Sequence, residues 1–373
     1  MMKRLCSVIA AVALSACANT QTLSPDASLW GVRLDHASVW VEDIEATSRF
    51  LTEIVGWKRH PLSFGIDAKH SSTGAMDLAF IDANGFWLEL VSPTSPGPGM
   101  DVLKNRGDGH IGELAFEPRD YDSALASMKA RGIPMLNMDG TPLKSEGGAI
   151  TQSVHQDGAL TPSDIRIAYW PKDRTYGTSV EMYEYRPGVP TDAFTIRNRT
   201  RQQGSAPPNT PRVDRIAIIV ADIERSARFY TEVLGLKRHP ETFPLNGATN
   251  SRSGGMNVTF IDANGIWLAL VQPVGPGPLM DYLTEKGDGY IAELIAEVDD
   301  LGQYYDAMKA KGIQMVDTSG APVDDLEKAH VLEPFGDRIA YFPTSVSHGM
   351  VIEISQRGPR NTSLIHKRDA WKH

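Results

Sequence analysis

Two cysteines in 373 residues, Cys6 and Cys17, cannot build a disulfide scaffold, and both fall at the extreme N-terminus. Basic character is scarce as well. With 37 Lys and Arg against 46 Asp and Glu the formal net charge is −9, and no Lys/Arg run interrupts the body, which argues against a nucleic-acid binder. The apolar stretch from Leu5 to Ala16 is too short to span a bilayer comfortably. What is present is an ordinary globular composition, 41% hydrophobic and 22% charged. That supplies apolar material for real cores, and the length suggests two domains.

Residues 1–16 read as an export signal, in which Met1-Met2-Lys3-Arg4 supplies a basic start before the short apolar stretch. Leu14-Ser15-Ala16-Cys17 resembles the lipobox of bacterial lipoproteins. The resemblance implies cleavage before Cys17, lipidation of that cysteine and a tether over 17–32. Acyl chains buried at about 0.8 kcal/mol per CH₂ hold such a body to a membrane face. Ala18, with no aspartate after the cysteine, implies by enteric-type sorting an exported protein facing the periplasm from the outer membrane. Cleavage removes Lys3 and Arg4 and leaves 35 basic residues against 46 acidic ones, net −11.

The body repeats itself. Residues 33–60 align without gaps on 212–239, with 14 of 28 positions identical, and Ile81-Asp82-Ala83-Asn84-Gly85 matches Ile261 to Gly265. Gly107-Asp108-Gly109 matches Gly287 to Gly289, so the offset holds at 179–180 residues. Two homologous halves follow, 33–187 and 212–357, with a Pro/Arg/Asn/Gln-rich linker over 188–211 and a basic, solvated tail over 358–373. Each half divides again. Leu34 to Val41 alternates as a half-buried strand does; Asp43 caps a helix with Ile44, Phe50, Leu51, Ile54 and Val55 on one face; Gly56 suits its C-terminus. Asn84-Gly85 marks a hairpin, and Phe86 to Val91 closes the unit. The second quarter repeats the order with a strand from His110 to Phe116, a helix from about Asp120 to Arg131, and strands near 149–154, 164–170 and 178–184. The expected fold class is α+β, with a βαβββ module present four times.

This order, together with Gly-His before one strand and Asn-Gly-x-x-x-Glu-Leu in another, resembles the vicinal oxygen chelate superfamily of glyoxalases, epimerases, extradiol dioxygenases and antibiotic-resistance proteins. The resemblance implies that paired modules curl mixed sheets into a cup holding one divalent metal. It places the ligands on first and last strands: His36 and Glu89 from the first module, His110 and Glu181 from the second. Alternation supports an inward aim, since His36 shares a face with Ser38 and Trp40 while Ala37, Val39 and Val41 take the other. Two imidazoles and two carboxylates suit Zn, Ni, Co, Mn or Fe(II) and leave two positions for substrate. In the second half the matching positions are Arg215, Ala269, Tyr290 and Glu353, so a metal is not expected there.

Other candidates carry blander readings. Lys-Arg-His-Pro at 58–61 and 237–240, and Glu113 with Glu293, occur in both halves and are expected to be structural. Ser95–Met100 and Val274–Met280 are expected to connect modules, and His155 to face solvent from a polar insertion. Trp40 and Trp87 share the inward faces of His36 and Glu89 and are candidates for an aromatic wall.

By resemblance, the leading expectation is a metal-dependent lyase or isomerase of the glyoxalase/epimerase type. A small substrate with adjacent oxygens would chelate the metal, with Glu181 as base and Glu89 as its counterpart. An Fe(II) dioxygenase using His36, His110 and Glu181, or a non-catalytic binding or resistance protein at the envelope, are the alternatives. Lipidated Cys17 makes the membrane a partner, and a homodimer is compatible with this architecture.

Overall fold

The structure, a computed structural model, describes residues 31–68, 73–143, 149–156, 159–185, 207–245, 254–263, 265–324, 330–332 and 335–358. The segment expected to be an export signal, Cys17, most of the expected linker and nearly all of the basic tail lie outside the described residues, as does the side chain of His155.

The first half runs β1 (Arg33–Trp40), α1 (Ile44–Arg49), β2 (Lys58–Ile66), β3 (Met76–Asp82) and β4 (Trp87–Pro93). It continues through α2 (Pro98–Arg106) into β5 (His110–Glu117), α3 (Tyr121–Ala130), β6 (Ala149–Gln156), β7 (Ala159–Tyr169), α4 (Lys172–Thr175) and β8 (Val180–Tyr185). The second half repeats this as β9 (Arg212–Ile219), α5 (Ile223–Arg228), β10 (Lys237–Arg238), β11 (Phe243–Leu245), β12 (Gly255–Asp262) and β13 (Trp267–Val274). It ends with α6 (Pro278–Lys286), β14 (Tyr290–Glu297), α7 (Leu301–Ala310), β15 (His330–Leu332), β16 (Asp337–Tyr341) and β17 (Ile352–Gln356). The α+β architecture of repeated modules expected from the sequence is the one observed.

One local device starts the main helix of every module. Asp43, Asp120, Asp222 and Asp300 sit in extended backbone and accept a hydrogen bond from the backbone N–H of Ala46, Ser123, Arg225 and Gln303. Asn84 and Gly85 take φ of 60° and 103°, the two left-handed positions of the tight turn between β3 and β4. Two features depart from expectation. The helix after Asp43 widens into π-helical turns over Phe50–Val55 before Gly56 ends it at φ 92°. The Pro/Gly segments are more than connectors, because Pro98 and Pro278 each occupy the first turn of a short helix, where a missing N–H costs nothing.

In the first half the strands close on themselves in the order β1-β4-β3-β2-β6-β7-β8-β5. The cup is therefore completed within one half. Among the described residues the second half forms an open sheet, β10-β12-β13-β9-β14-β17-β16-β15, with β11 on β12. The main apolar core runs through both halves, with Phe50 edge-on to Phe342 at 5.3 Å and Trp170 to Phe229 at 5.9 Å. The repeated Gly-Asp-Gly motif forms part of this seam. A Cβ on Gly109 would lie 2.2 Å from the backbone nitrogen of Met350, and one on Gly289 would lie 2.1 Å from that of Thr178. Asp108 and Asp288 then receive the backbone N–H of Glu42 and Ala221, tying each motif to its own first strand.

Candidate functional site

Strand register assembles the first cup. Trp87, His36, Ala115 and Glu181 form one row across β4, β1, β5 and β8, and the next row sets Glu89, Ser38 and Glu113 side by side. Opposed residues share a face and alternate residues return to it, so His36, Glu89, Glu113 and Glu181 point to the same side. They line a cavity of about 710 Å³. Trp40, expected on this face, lines it too, while Trp87 packs against Phe80 and His60.

Hydrogen bonds hold the side chains in place. A register shift between Leu34 and His36 turns Asp35 toward its neighbour, and its Oδ2 lies 3.0 Å from His36 Nδ1. The same oxygen accepts the Tyr183 hydroxyl at 2.7 Å. With Nδ1 engaged, His36 presents Nε2 to Glu89 at 3.6 Å. Ser38 donates to Glu89 at 2.6 Å, and Tyr169 donates to Glu181 at 2.5 Å. Phe80 and Tyr183 stand edge-on to the imidazole at 5.8 and 5.1 Å.

The electrostatics follow from enclosure and mutual charge. Burial pulls His36 down, but the bond to Asp35 and the charges of Glu89, Asp35 and Glu181 outweigh it and raise its pKa to about 9. Burial and the charge of Glu89 push Glu113 up to about 7. Burial and Glu113 hold Glu181 well above the usual carboxylate range.

His110 lies elsewhere in the cavity. It pairs with Trp40, four residues along β1 from His36, which at about 3.3 Å per residue is about 13 Å from the His36 row. Its ring stacks on Tyr290 of the second half at 5.5 Å, with the planes 12° apart. The register skips Gly112 at this point, and Trp40 fills the bulge so closely that a Cβ on Gly112 would sit 2.1 Å from the indole nitrogen. The station opposite Ser38 therefore belongs to Glu113, a residue expected from its recurrence as Glu293 to be structural. A signal for it was present: Asp43 follows His36 by seven residues, and Asp120 follows Glu113 by seven.

The second half keeps the frame and changes the chemistry. Its rows are Trp267, Arg215, Ile295 and Glu353, then Ala269, Ala217 and Glu293. Buried Arg215 donates to Asp337 at 3.1 Å and Ser355 at 2.9 Å, with Asp214 3.5 Å from its Nε. In the Lys-Arg-His-Pro motifs, Arg59 forks onto Glu45 at 2.6 and 2.7 Å, and Arg238 onto Glu224 at 2.6 Å, contacts that brace a strand against a helix.

Among the described residues, no group of three or more His, Cys, Asp and Glu is closed tightly enough to hold an ion as it stands. The donor set of the first cup nevertheless fits a hard divalent cation. Three carboxylates and one imidazole share a desolvated floor, where their charges conflict unless a cation or protons offset them. Asp35 orients the imidazole as outer-sphere carboxylates orient ligating histidines. The second floor does not fit, because a guanidinium stands at the place of His36 and Ala269 at that of Glu89.

Two family models, both described as the Glyoxalase/Bleomycin resistance protein/Dioxygenase superfamily, match residues 35–150 and 212–341. The mitochondrial methylmalonyl-CoA epimerase of Homo sapiens is 28% identical over 107 residues, covering 28% of this chain and 57% of that protein. The chain thus spans just over half the length of that relative. The Bos taurus enzyme is 23% identical over 176 residues, covering 46% of this chain and 90% of its own. Among solved structures, a triple mutant of 4-hydroxymandelate synthase from Streptomyces coelicolor aligns with a TM-score of 0.57 and 16% identity, covering 87% of this chain and 92% of that one. That likeness concerns the fold.

Proposed function

The chain belongs to the Glyoxalase/Bleomycin resistance protein/Dioxygenase superfamily, and from that premise we propose that its first half is a metal-dependent lyase or isomerase acting on a small substrate with adjacent oxygens. The observation that carries this is the register that brings His36, Glu89, Glu113 and Glu181 onto one cavity floor. These four would hold the ion. When bound, a divalent metal supplies Lewis acidity to the substrate's oxygens. The remaining tasks fall to the chain. Asp35 and Tyr183 fix the ring of His36, and Tyr169 steadies Glu181. Glu181 is the proposed proton acceptor, with Glu89 facing it across the floor as its counterpart. The apolar lining of Met76, Leu78, Ile165 and Ile167 excludes water around the carbon that loses its proton.

The ring-cleaving alternative asks for His36, His110 and Glu181 as a facial triad. With His110 on Tyr290 at the seam, the floor offers one imidazole, so that triad lacks its second histidine, while the lyase or isomerase reading is proposed with Glu113 in the place of His110. We also propose that the chain is exported and anchored through Cys17, a reading supported by the lipobox-like Leu14-Ser15-Ala16-Cys17. Incorporation of labelled fatty acid that persists in Cys17→Ser would refute it.

Elemental analysis of protein purified without chelator tests the site. The expected result is about one divalent ion per chain, lost in His36→Ala and strongly reduced in Glu181→Gln. Equal, negligible metal in all three proteins would overturn the metal reading.

A further inference from the structure

The second cup retains a cavity of about 480 Å³, within the usual range for small-molecule sites. Its walls are apolar and aromatic, built from Leu245, Met256, Val258, Phe260, Val271 and Phe335. Phe260 and Phe335 meet at 5.8 Å, and Phe243 stands 5.1 Å from Phe335 behind them. The floor carries Glu293 and Glu353, with Tyr341 donating to Glu353 at 2.7 Å. Among the described residues lining the cavity Arg215 is the one basic residue, and its N–H groups are directed at Asp337, Ser355 and Asp214.

The surrounding charges decide what the floor prefers. Arg357 bonds Asp214 at 3.0 Å and pairs with Glu297, which Arg212 also meets at 3.0 Å. Arg212, Arg215 and Arg357 are thus matched by Asp214, Asp337 and Glu297 before Glu293 and Glu353 are counted. Asp317 adds a further acid to the lining. Burial first, then the charge of Glu353, raise Glu293 to about 8 against the opposing charge of Arg215. A metal is excluded by the guanidinium at the first-strand station. An anion would meet surplus carboxyls. An organic cation with an apolar body answers both, its charge meeting the acidic floor and its body the aromatic wall.

We propose that the second cup is a metal-free binding site for a small organic amine, an apolar or aromatic body carrying one ammonium. Glu293, Glu353 and the Tyr341 hydroxyl receive the ammonium, and the body fills the space between Leu245, Val258, Phe260 and Phe335. The half that has lost the metal stations is then a ligand-binding half, independent of the reaction in the first cup.

The test uses the full chain and three probes of one body, 3-phenylpropylamine, 3-phenylpropanol and 3-phenylpropionate, followed by amide shifts in NMR titrations. The amine is expected to bind once, at low millimolar concentration, as suits a ligand of this size, and about tenfold more tightly than the alcohol. The carboxylate is expected to show no binding at the same concentrations. Glu293→Gln combined with Glu353→Gln should abolish the preference for the amine, and Ala269→Phe should block the cup, while His36→Ala leaves amine binding unchanged. Equal binding of all three probes, preference for the carboxylate, or no amine binding up to about 10 mM overturns the proposal. So does amine binding that follows His36 instead of Ala269. The headgroup series on unmodified protein, read at the amides of the second half, decides the matter even if a variant does not fold.

Discussion

Lowering the pH from 8 to 5 is expected to cost the protein about 2 kcal/mol of stability through His110 alone. The ring is partly buried on Tyr290, with its Nδ1 enclosed and unbonded among the described residues. Burial first, then the charges of Arg106, Lys172 and Lys286, lower its pKa from 6.5 to about 4. The folded protein therefore keeps this histidine neutral where the unfolded chain protonates it. Between the two values the unfolded state binds more protons, so stability is present above pH 6.5 and drains as pH falls toward 4. The full difference is about 3 kcal/mol at 1.36 kcal/mol per unit, of which about two-thirds is spent by pH 5. Other groups titrate in the same range, so the measurement is a difference. Urea unfolding of wild type and His110→Phe is followed by tryptophan fluorescence at pH 8, 6.5 and 5. Phenylalanine keeps the stack on Tyr290 and cannot take a proton. The variant should gain about 2 kcal/mol relative to wild type between pH 8 and pH 5, with its metal content intact. A difference that stays flat with pH, or a variant that loses metal as His36→Ala does, would refute the assignment of His110 to the seam.

Arg215→Met should lower stability by about 3–5 kcal/mol, because it strands buried Asp337 without its cation. Adding Asp337→Ile, the residue type that Ile165 supplies at the matching place in β7, should recover most of the loss in chemical denaturation; no recovery would show that the pair is not the unit. Gly109→Ala puts a Cβ 2.2 Å from the Met350 nitrogen as well as forcing an L-residue to φ 77°. Gly107 also has a left-handed φ, 92°, but open space around its Cβ position. Thermal melting should therefore separate Gly109→Ala, costing about 3 kcal/mol or more, from Gly107→Ala at about 1–2 kcal/mol, and equal losses would mean that the halves are not locked through this motif.

The contrast between His36 and His110 shows where sequence patterns were informative and where they were not. Offsets of 179–180 residues align the halves because Asp caps, turn glycines and core faces are needed at each repeat, and those constraints are local. The same economy made Asp43, Asp120, Asp222 and Asp300 readable as helix starts. Gly-His before β5 was a weaker guide, because a bulge changes which residue of a strand meets its neighbour. Counting back from the capping aspartate meets no extra residue within β5 and leads to Glu113, whereas counting forward from the glycine stops at His110, on the far side of Gly112. Alternation gave His36, Glu89 and Glu181 their inward aim, but it carries no information about pairing between β1 and β5. The continuous core was hidden for a similar reason: Phe50 and Phe342 lie on different halves, and no short-range pattern connects them. The two floors are then the same frame under different charge. Where His36 stands between Asp35 and three glutamates, the surplus acid calls for a metal. Where Arg215 takes its place and recruits Asp337, the surplus narrows to Glu293 and Glu353, enough for an ammonium and poorly suited to a divalent ion.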